Sequence, residues 1–405
     1  DLEAESKEIQ NVHEKFVNID QADLKTDKFL GEGHYGAVYR GTFRGIPIAM
    51  KAFKLDLASE ELLASEELKG RFPAHEAKKL ALSSFEYEIN LSTHMRHPNV
   101  VRCRGASYDD VAFWAVFDLC KGGTLRSFLQ QRLEIPDGSG GGDGSEVIIP
   151  PYVRSEDGLY SRDFHLTDPS VSKSLPEEQK EYAKQPAEQE PRSPLPWSKC
   201  FQIATDVTQA LCFLHDNGIC HRDIKTENIL LDEFGRALIA DLGCAQSDQS
   251  VREEASAVVE SGAKDFRYAA PEELVAYGRG ASIKADAYAL GTVLWELLAR
   301  RDPYSAYGND SELIQTLIYR GVQERIPEGC PSSTFVNLIK QCWSKGPEAR
   351  PNPADILRIL TTQVASEMGV PPLHARICQQ ENFLNTVCPR DKADTYLAPE
   401  VGSSS

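Results

Sequence analysis

Positive charge is what this chain of 405 residues is short of: 44 Lys and Arg stand against 61 Asp and Glu, a formal net charge of −17. Nucleic acids are held through a basic face that releases phosphate counterions, so this balance argues against a nucleic-acid partner. An anionic membrane surface is disfavoured for the same reason. No uninterrupted apolar run reaches the roughly 18 residues of a spanning helix. No secretory signal is visible either, so no membrane segment is expected in the chain. The ten cysteines form no Cys-x-x-Cys pair and no Cys/His cluster of zinc spacing. Their scatter predicts thiols in a reducing, cytoplasmic setting. No repeat of 20–50 residues recurs. The remainder is ordinary for a globular chain, with 41% hydrophobic and 26% charged residues and length enough for one large or two medium domains.

The pattern changes along the chain. Residues 1–24 are charged and weakly periodic and are set apart as an N-terminal extension. From Lys25 to Phe53, apolar and polar residues alternate between glycines, which predicts three strands with tight turns. Leu55 to Met95 reads as helical, interrupted at Gly70 and Pro73. Val100–Arg104 and Val111–Leu119 read as two more strands, and Thr124 as the cap of a helix starting at Leu125. Residues 131–196 carry 13 acidic and 7 basic residues and are rich in Gly, Pro, Glu and Gln. This acidic, low-complexity insert is expected to be disordered or loosely packed and is a candidate surface for a regulatory partner. Order resumes at Trp197. Ile203, Val207, Leu211 and Leu214 share one helical face, as do Ile283, Ala287, Leu290, Leu294 and Leu298. The predicted folded domain is 25–362, strand-rich over 25–119 and helix-rich over 120–362, with a tail at 363–405.

Chemistry concentrates in a few short stretches. Gly31-Glu32-Gly33-His34-Tyr35-Gly36-Ala37-Val38 lets the backbone approach phosphates where a side chain would clash. A dinucleotide-binding turn has similar glycines but expects a helix straight after them. Here a strand follows, Val38 to Thr42. Lys51 ends the apolar run Ile48-Ala49-Met50, where a strand can present its ammonium to the α- and β-phosphates. In His221-Arg222-Asp223-Ile224-Lys225-Thr226-Glu227-Asn228, Asp223 can orient an acceptor hydroxyl and take its proton. Lys225 can steady a transferring phosphate as a point charge. Asn228 offers an amide oxygen to Mg²⁺, a cation that prefers oxygen ligands. Asp241-Leu242-Gly243 follows 13 residues after Asn228 and supplies a carboxylate as a second oxygen ligand for the metal.

From about Thr26 to Leu360, with the insert set aside, these motifs with Glu88, Ala270-Pro271-Glu272, Asp286 and Arg350 resemble those of eukaryotic protein kinases. The resemblance implies an α+β, two-lobed protein kinase fold: a small antiparallel-sheet N-lobe and a larger helical C-lobe, with ATP between them. It implies phosphoryl transfer from Mg-ATP to a protein substrate. Glu88, chosen over Glu86 by its spacing to His97-Pro98, would hold Lys51. Gly31, Glu32, Gly33, Gly36, Val38, Ala49 and Lys51 would contact the nucleotide, with Asp118 and Cys120 meeting adenine through backbone groups beside a gatekeeper at Phe117. Asn228 and Asp241 would hold Mg²⁺, Asp286 would tie the helical lobe to the catalytic loop, and Glu272 would pair with Arg350. Lys225 is similar to serine/threonine kinases. Trp295-Glu296 and Arg267-Tyr268 look similar to their tyrosine-kinase-like group.

Two positions depart from that pattern. Lys264-Asp265 stands where the family has Gly-Thr, and a carboxylate there would repel Asp223 unless Lys225 or Lys264 pairs with it. Ser92 stands where the family packs an apolar side chain. Both leave room for an alternative, a pseudokinase-like scaffold that binds partners. Arg222 is expected to meet a phosphorylated activation segment, with Ser247, Ser250, Ser256 and Ser261 as candidates.

Overall fold

The computed structural model describes residues 10–33, 36–54, 74–109, 112–131, 195–247, 265–275, 282–308, 310–327 and 329–369. Five antiparallel strands form the N-terminal sheet: β1 (Leu24–Gly33), β2 (Gly36–Phe43), β3 (Ile46–Lys54), β4 (Cys103–Tyr108) and β5 (Ala112–Asp118), in the order β1-β2-β3-β5-β4. Arg44 and Gly45, both with positive φ, link β2 to β3 where Phe43 faces Ile46. Two left-handed residues give a turn whose twist matches that of the flanking strands.

Helix α1 (Ala74–His94) packs on this sheet. Its buried Leu82, Phe85 and Ile89 recur at helical spacing and meet Phe53, Phe113 and Ala115. Glu88 lies between Phe85 and Ile89 and is buried with them. The expected helical stretch 55–73 lies outside the described residues.

The strand expected over Val100–Arg104 starts at Cys103 instead. The backbone before it is already engaged by the other lobe: Val101 N–H donates to the Ile239 carbonyl at 2.9 Å and Ile239 N–H to the Asn99 carbonyl at 2.8 Å. Residues 10–23, set apart in the sequence reading, pack on the same lobe. Residues 10–16 are helical, Val12 is buried with Leu82 and Phe85, and the Phe16 ring meets Phe85 edge-on at 6.3 Å. Asn18 exchanges hydrogen bonds with Ala106, its Oδ1 accepting from the Ala106 N–H at 2.9 Å and its N–H donating to the carbonyl at 3.0 Å.

The C-terminal lobe is helical. Short β6 (Gly123–Thr124) leads into α2 (Leu125–Gln130), capped by the Thr124 side chain. Then come α3 (Trp197–Asp216), β7 (Ile219–Cys220), β8 (Ile229–Leu231), β9 (Ala237–Ile239), β10 (Gln246–Ser247), α4 (Pro271–Val275), α5 (Ile283–Ala299), α6 (Ser311–Arg320), α7 (Ser333–Cys342) and α8 (Pro353–Ile359). Helix α5 is buried on every side from Ala285 to Ala299, as befits the centre of a helical core. The core does not stop where periodicity fades after Leu360: a π-helical turn, Leu360–Val364, buries Leu360 and Val364, and Ala365 follows. Most of the 131–196 insert lies outside the described residues. At its borders, the Arg300 guanidinium donates to the Leu129 and Gln131 carbonyls, and Leu195 is buried. Among the described residues, no helix is long and apolar enough to cross a membrane.

Candidate active site

On β3, Ile48, Met50 and Ala52 turn to the buried face, so Lys51 points the other way. It is buried all the same. Its Nζ lies 2.7 Å from Glu88 Oε2 on α1 and 2.9 Å from Asp241 Oδ1. Burial pulls the Lys51 ammonium down, but Asp241 and Glu88 outweigh it and the net shift is upward. Burial pushes Glu88 up to about 7 against the pull of Lys51. For Asp241, burial pushes upward, yet the Lys51 charge and hydrogen bond prevail and hold it at about 2. One cation thus ties the sheet, the helix and the C-terminal lobe together.

The glycine loop joins β1 to β2, with Gly31 opposite Val38, Glu32 opposite Ala37 and Gly33 opposite Gly36. His34 and Tyr35 lie outside the described residues. A Cβ on Gly36 would stand 1.9 Å from the Ala52 carbonyl oxygen, so internal packing demands glycine there. A Cβ on Gly31 would meet no atom within 4 Å. Among the described residues no packing calls for glycine at that position, whereas close approach of a phosphate would. Ala49 faces Phe117 across β3 and β5, and Asp118 faces Ile48. The Asp118 N–H donates to the Arg102 carbonyl at 3.0 Å, and its carboxylate pairs with Arg104. Burial pushes the Cys120 thiol up to about 12, which leaves it protonated and unreactive at neutral pH.

The catalytic loop is held from below by Asp286, in the first turn of α5. One carboxylate oxygen accepts from the His221 N–H and from His215 Nε2, the other from the Arg222 N–H, each at 2.8 Å. Arg222 has φ 68°, a strained conformation for a side-chain-bearing residue, and this grip holds it. Burial would raise the Asp286 carboxyl, but the hydrogen bond and charge of His215, aided by His221 and Arg222, bring it below its ordinary value. His221 accepts at Nδ1 from the Asp223 N–H at 3.3 Å and donates from Nε2 to the Ala240 carbonyl at 3.1 Å.

Asp223 meets Lys225 Nζ at 2.7 Å. Asn228 Nδ2 donates to the Asp223 carboxylate at 2.7 Å and to its carbonyl at 2.9 Å. Spending the amide nitrogen this way leaves the amide oxygen to face a cation. Asp241, at φ 61°, accepts from the Gly243 N–H at 3.3 Å. Asn228 and Asp241 each carry an oxygen of the hard type that divalent cations such as Mg²⁺ prefer. Arg350 takes Glu272 in a two-pronged pair at 2.6 and 2.7 Å. Ser92 is buried. Among the described residues, Nε and Nη1 of Arg222 meet no hydrogen-bond partner. Ser247 sits in β10, and Ser250, Ser256 and Ser261 lie outside the described residues.

Of the two partners expected for Asp265, Lys225 is engaged by Asp223 and Lys264 lies outside the described residues. Among the described residues Arg267 pairs with Asp265, with Nη2 at 2.6 Å and Nε at 2.7 Å. The sequence reading used Arg267 only as a subgroup mark. An Asp-x-Arg spacing at the head of a turn is the signal that points to the pair. The reading also missed His215 beneath Asp286, and the buried trio in which the Tyr268 hydroxyl donates to Glu296 at 2.8 Å while Thr226 donates to it at 3.1 Å.

The model for the protein tyrosine and serine/threonine kinase family matches residues 24–360. The chain belongs to that family, and its two lobes are the α+β kinase architecture expected from the sequence. It is 26% identical over 352 residues to the serine/threonine-protein kinase STY17 of Arabidopsis thaliana, covering 87% of this chain and 46% of that protein. It is 33% identical over 340 residues to a protein of Dictyostelium discoideum named "Probable LIM domain-containing serine/threonine-protein kinase", covering 83% and 39%. The chain thus spans less than half the length of either relative.

Proposed function

We propose that this chain transfers the γ-phosphoryl group of Mg-ATP to Ser or Thr hydroxyls of protein substrates. The observation that carries the reading is the joining of two clusters at one place: Lys51 with Glu88 and Asp241, and Asp223 with Lys225 and Asn228. Asp241 reaches Lys51 on the N-terminal sheet, and the residue before it, Ala240, donates its N–H to the Asn228 carbonyl at 2.8 Å, so the two clusters are neighbours.

Phosphoryl transfer has little covalent work for a protein to do, so positioning and charge carry the catalysis. Lys51 binds phosphate oxygens, and Glu88 keeps its long side chain in place. The Gly31–Gly36 backbone covers the phosphates, while Val38 and Ala49 border the base beside the backbone of Asp118 and Cys120. Asn228 and Asp241 would hold Mg²⁺, which would supply charge neutralisation at the phosphates. Asp223 orients the acceptor hydroxyl and takes its proton as transfer completes. Lys225, already on Asp223, steadies the moving phosphate, and its presence favours Ser/Thr over Tyr.

The pseudokinase reading is not favoured, since Lys51, Asp223, Asn228 and Asp241 are all present and the family match runs over residues 24–360. The finer assignments to the cytoplasm and to a regulatory partner at 131–196 remain part of this proposal. No disulfide joins the eight described cysteines, and the insert has an acidic composition. The test is incubation with labelled ATP, Mg²⁺ and a generic protein, beside Asp223→Asn, followed by phosphoamino-acid analysis. Asp223-dependent label on Ser or Thr is expected. Equal labelling by both proteins, or none by either, would sink the reading.

A further inference from the structure

Asp265 opens the described part of the segment that leads to Ala270-Pro271-Glu272. It lines one recess with Arg222, Asp223, Tyr268 and Asp286. A carboxylate there is a threat to the catalytic loop. Lys225 is the cation that balances Asp223 at 2.7 Å, and Asp265 also attracts the Lys225 charge. An unneutralised Asp265 would compete for that lysine and add a second negative charge beside the acceptor site.

The structure answers the threat locally. Arg267 folds back two residues and grips both Asp265 oxygens through Nε and Nη2. Its own N–H donates to Asp265 Oδ1 at 3.1 Å, so the same carboxylate caps the 3-10 turn Phe266–Tyr268. The two side chains are only 22% and 19% exposed, which shields the pair from the screening that weakens surface ion pairs. A two-pronged guanidinium–carboxylate pair also fixes direction as well as charge. The mount is rigid: the next residue, Tyr268, is buried and hydrogen-bonded to Glu296.

We propose that Arg267 is a positioning residue for phosphoryl transfer, neutralising Asp265 so that Lys225 stays on Asp223. The proposal rests on the kinase reading above. It predicts a loss and recovery of kcat at an unchanged melting temperature, whereas a merely structural ion pair would move the melting temperature with it. Arg267→Ala should lower kcat by about tenfold and leave KM for ATP within about twofold, because the loss falls on the acceptor side of the site. Asp265→Asn alone should stay within about threefold of the unsubstituted protein. The double variant Asp265→Asn/Arg267→Ala should recover most of the lost kcat, since removing the carboxylate removes the need for its partner.

The experiment is steady-state kinetics on the full chain with Mg-ATP and a generic protein substrate, for these three variants and Arg267→Gln. Melting temperature is measured on each, and Arg267→Gln serves if Arg267→Ala does not fold. Recovery of kcat in the double variant supports the proposal. Full activity in Arg267→Ala and Arg267→Gln overturns it, as does a double variant no better than the single. No Asp223-dependent activity in the unsubstituted protein overturns the kinase reading and this proposal with it. That failure is distinct from kinase activity without recovery, which overturns the Arg267 role alone.

Discussion

The two lobes hold their halves of the site by different physics. In the N-terminal lobe, Lys51 and Glu88 meet because apolar surfaces press α1 onto the sheet: Phe85 stacks on Phe113 at 4.7 Å and meets Phe53 at 5.4 Å, with Val12 and Phe16 behind them. In the C-terminal lobe, Asp223 is placed by directed hydrogen bonds: Asp286 grips two successive backbone N–H groups and the Thr226–Tyr268–Glu296 trio locks the loop's far end. Apolar packing is roughly additive in area and yields gradually. A buried hydrogen-bond network fails abruptly, because each lost partner leaves others unsatisfied. Damage should therefore be graded in one lobe and abrupt in the other.

The largest effect is expected at Asp286. Asp286→Ala strips an acceptor from His221, Arg222 and His215 at once and should cost about 3–5 kcal/mol, with catalysis falling more steeply than nucleotide binding. Chemical denaturation beside ATP titration reads both. A mild loss would break the contrast between lobes.

Asp206 on α3 sharpens the contrast by pH. Burial pushes its carboxyl up to about 6, although the Ala237 N–H donates to it. The native state then keeps a proton that the unfolded chain gives up near pH 3.8. Stability from this group falls as pH rises between those values and stays lower above pH 6. Asp206→Asn should be nearly neutral at pH 4 and stabilising by about 2–3 kcal/mol at pH 8. Equal melting shifts at both pH values would contradict this account.

The smallest effect is expected at the N-terminal edge. Val12→Ala removes two buried methyl groups' worth of packing and should cost about 1.5 kcal/mol. Rate should fall by a factor of only about two to five. A loss as large as that at Asp286 would mean that residues 10–23 hold Glu88 by more than packing.

How legible all this was follows the same division. The His221–Asn228 loop was readable because its chemistry sits in eight consecutive residues, and the strands of the first sheet because alternation and glycines mark them. Glu88 needed a spacing rule, since periodicity alone places it on an apolar face beside Phe85. His215 and Asp286 are 71 residues apart and Tyr268 and Glu296 are 28 apart, so no local pattern announces either meeting. The start of β4 was misplaced because a partner on the other lobe engages residues 99–101, which propensity does not see. Val12 and Phe16 sit in a charged stretch whose apolar residues gain meaning only from the sheet beneath them. Asp265 pairs with Arg267, a partner that its sequence neighbours do not by themselves announce. That partner lies two residues on, in a side chain whose direction depends on the turn.

The most direct test of the account is the single-turnover rate of Asp223→Asn at saturating Mg-ATP, with Kd for ATP measured on the same sample. The proposed roles predict a rate lower by about 10²–10⁴-fold with Kd within about threefold, because in that proposal Asp223 faces the acceptor while Lys51, Glu88 and the glycine loop hold the nucleotide. An unchanged rate, or a rate and affinity that fall together, would contradict it.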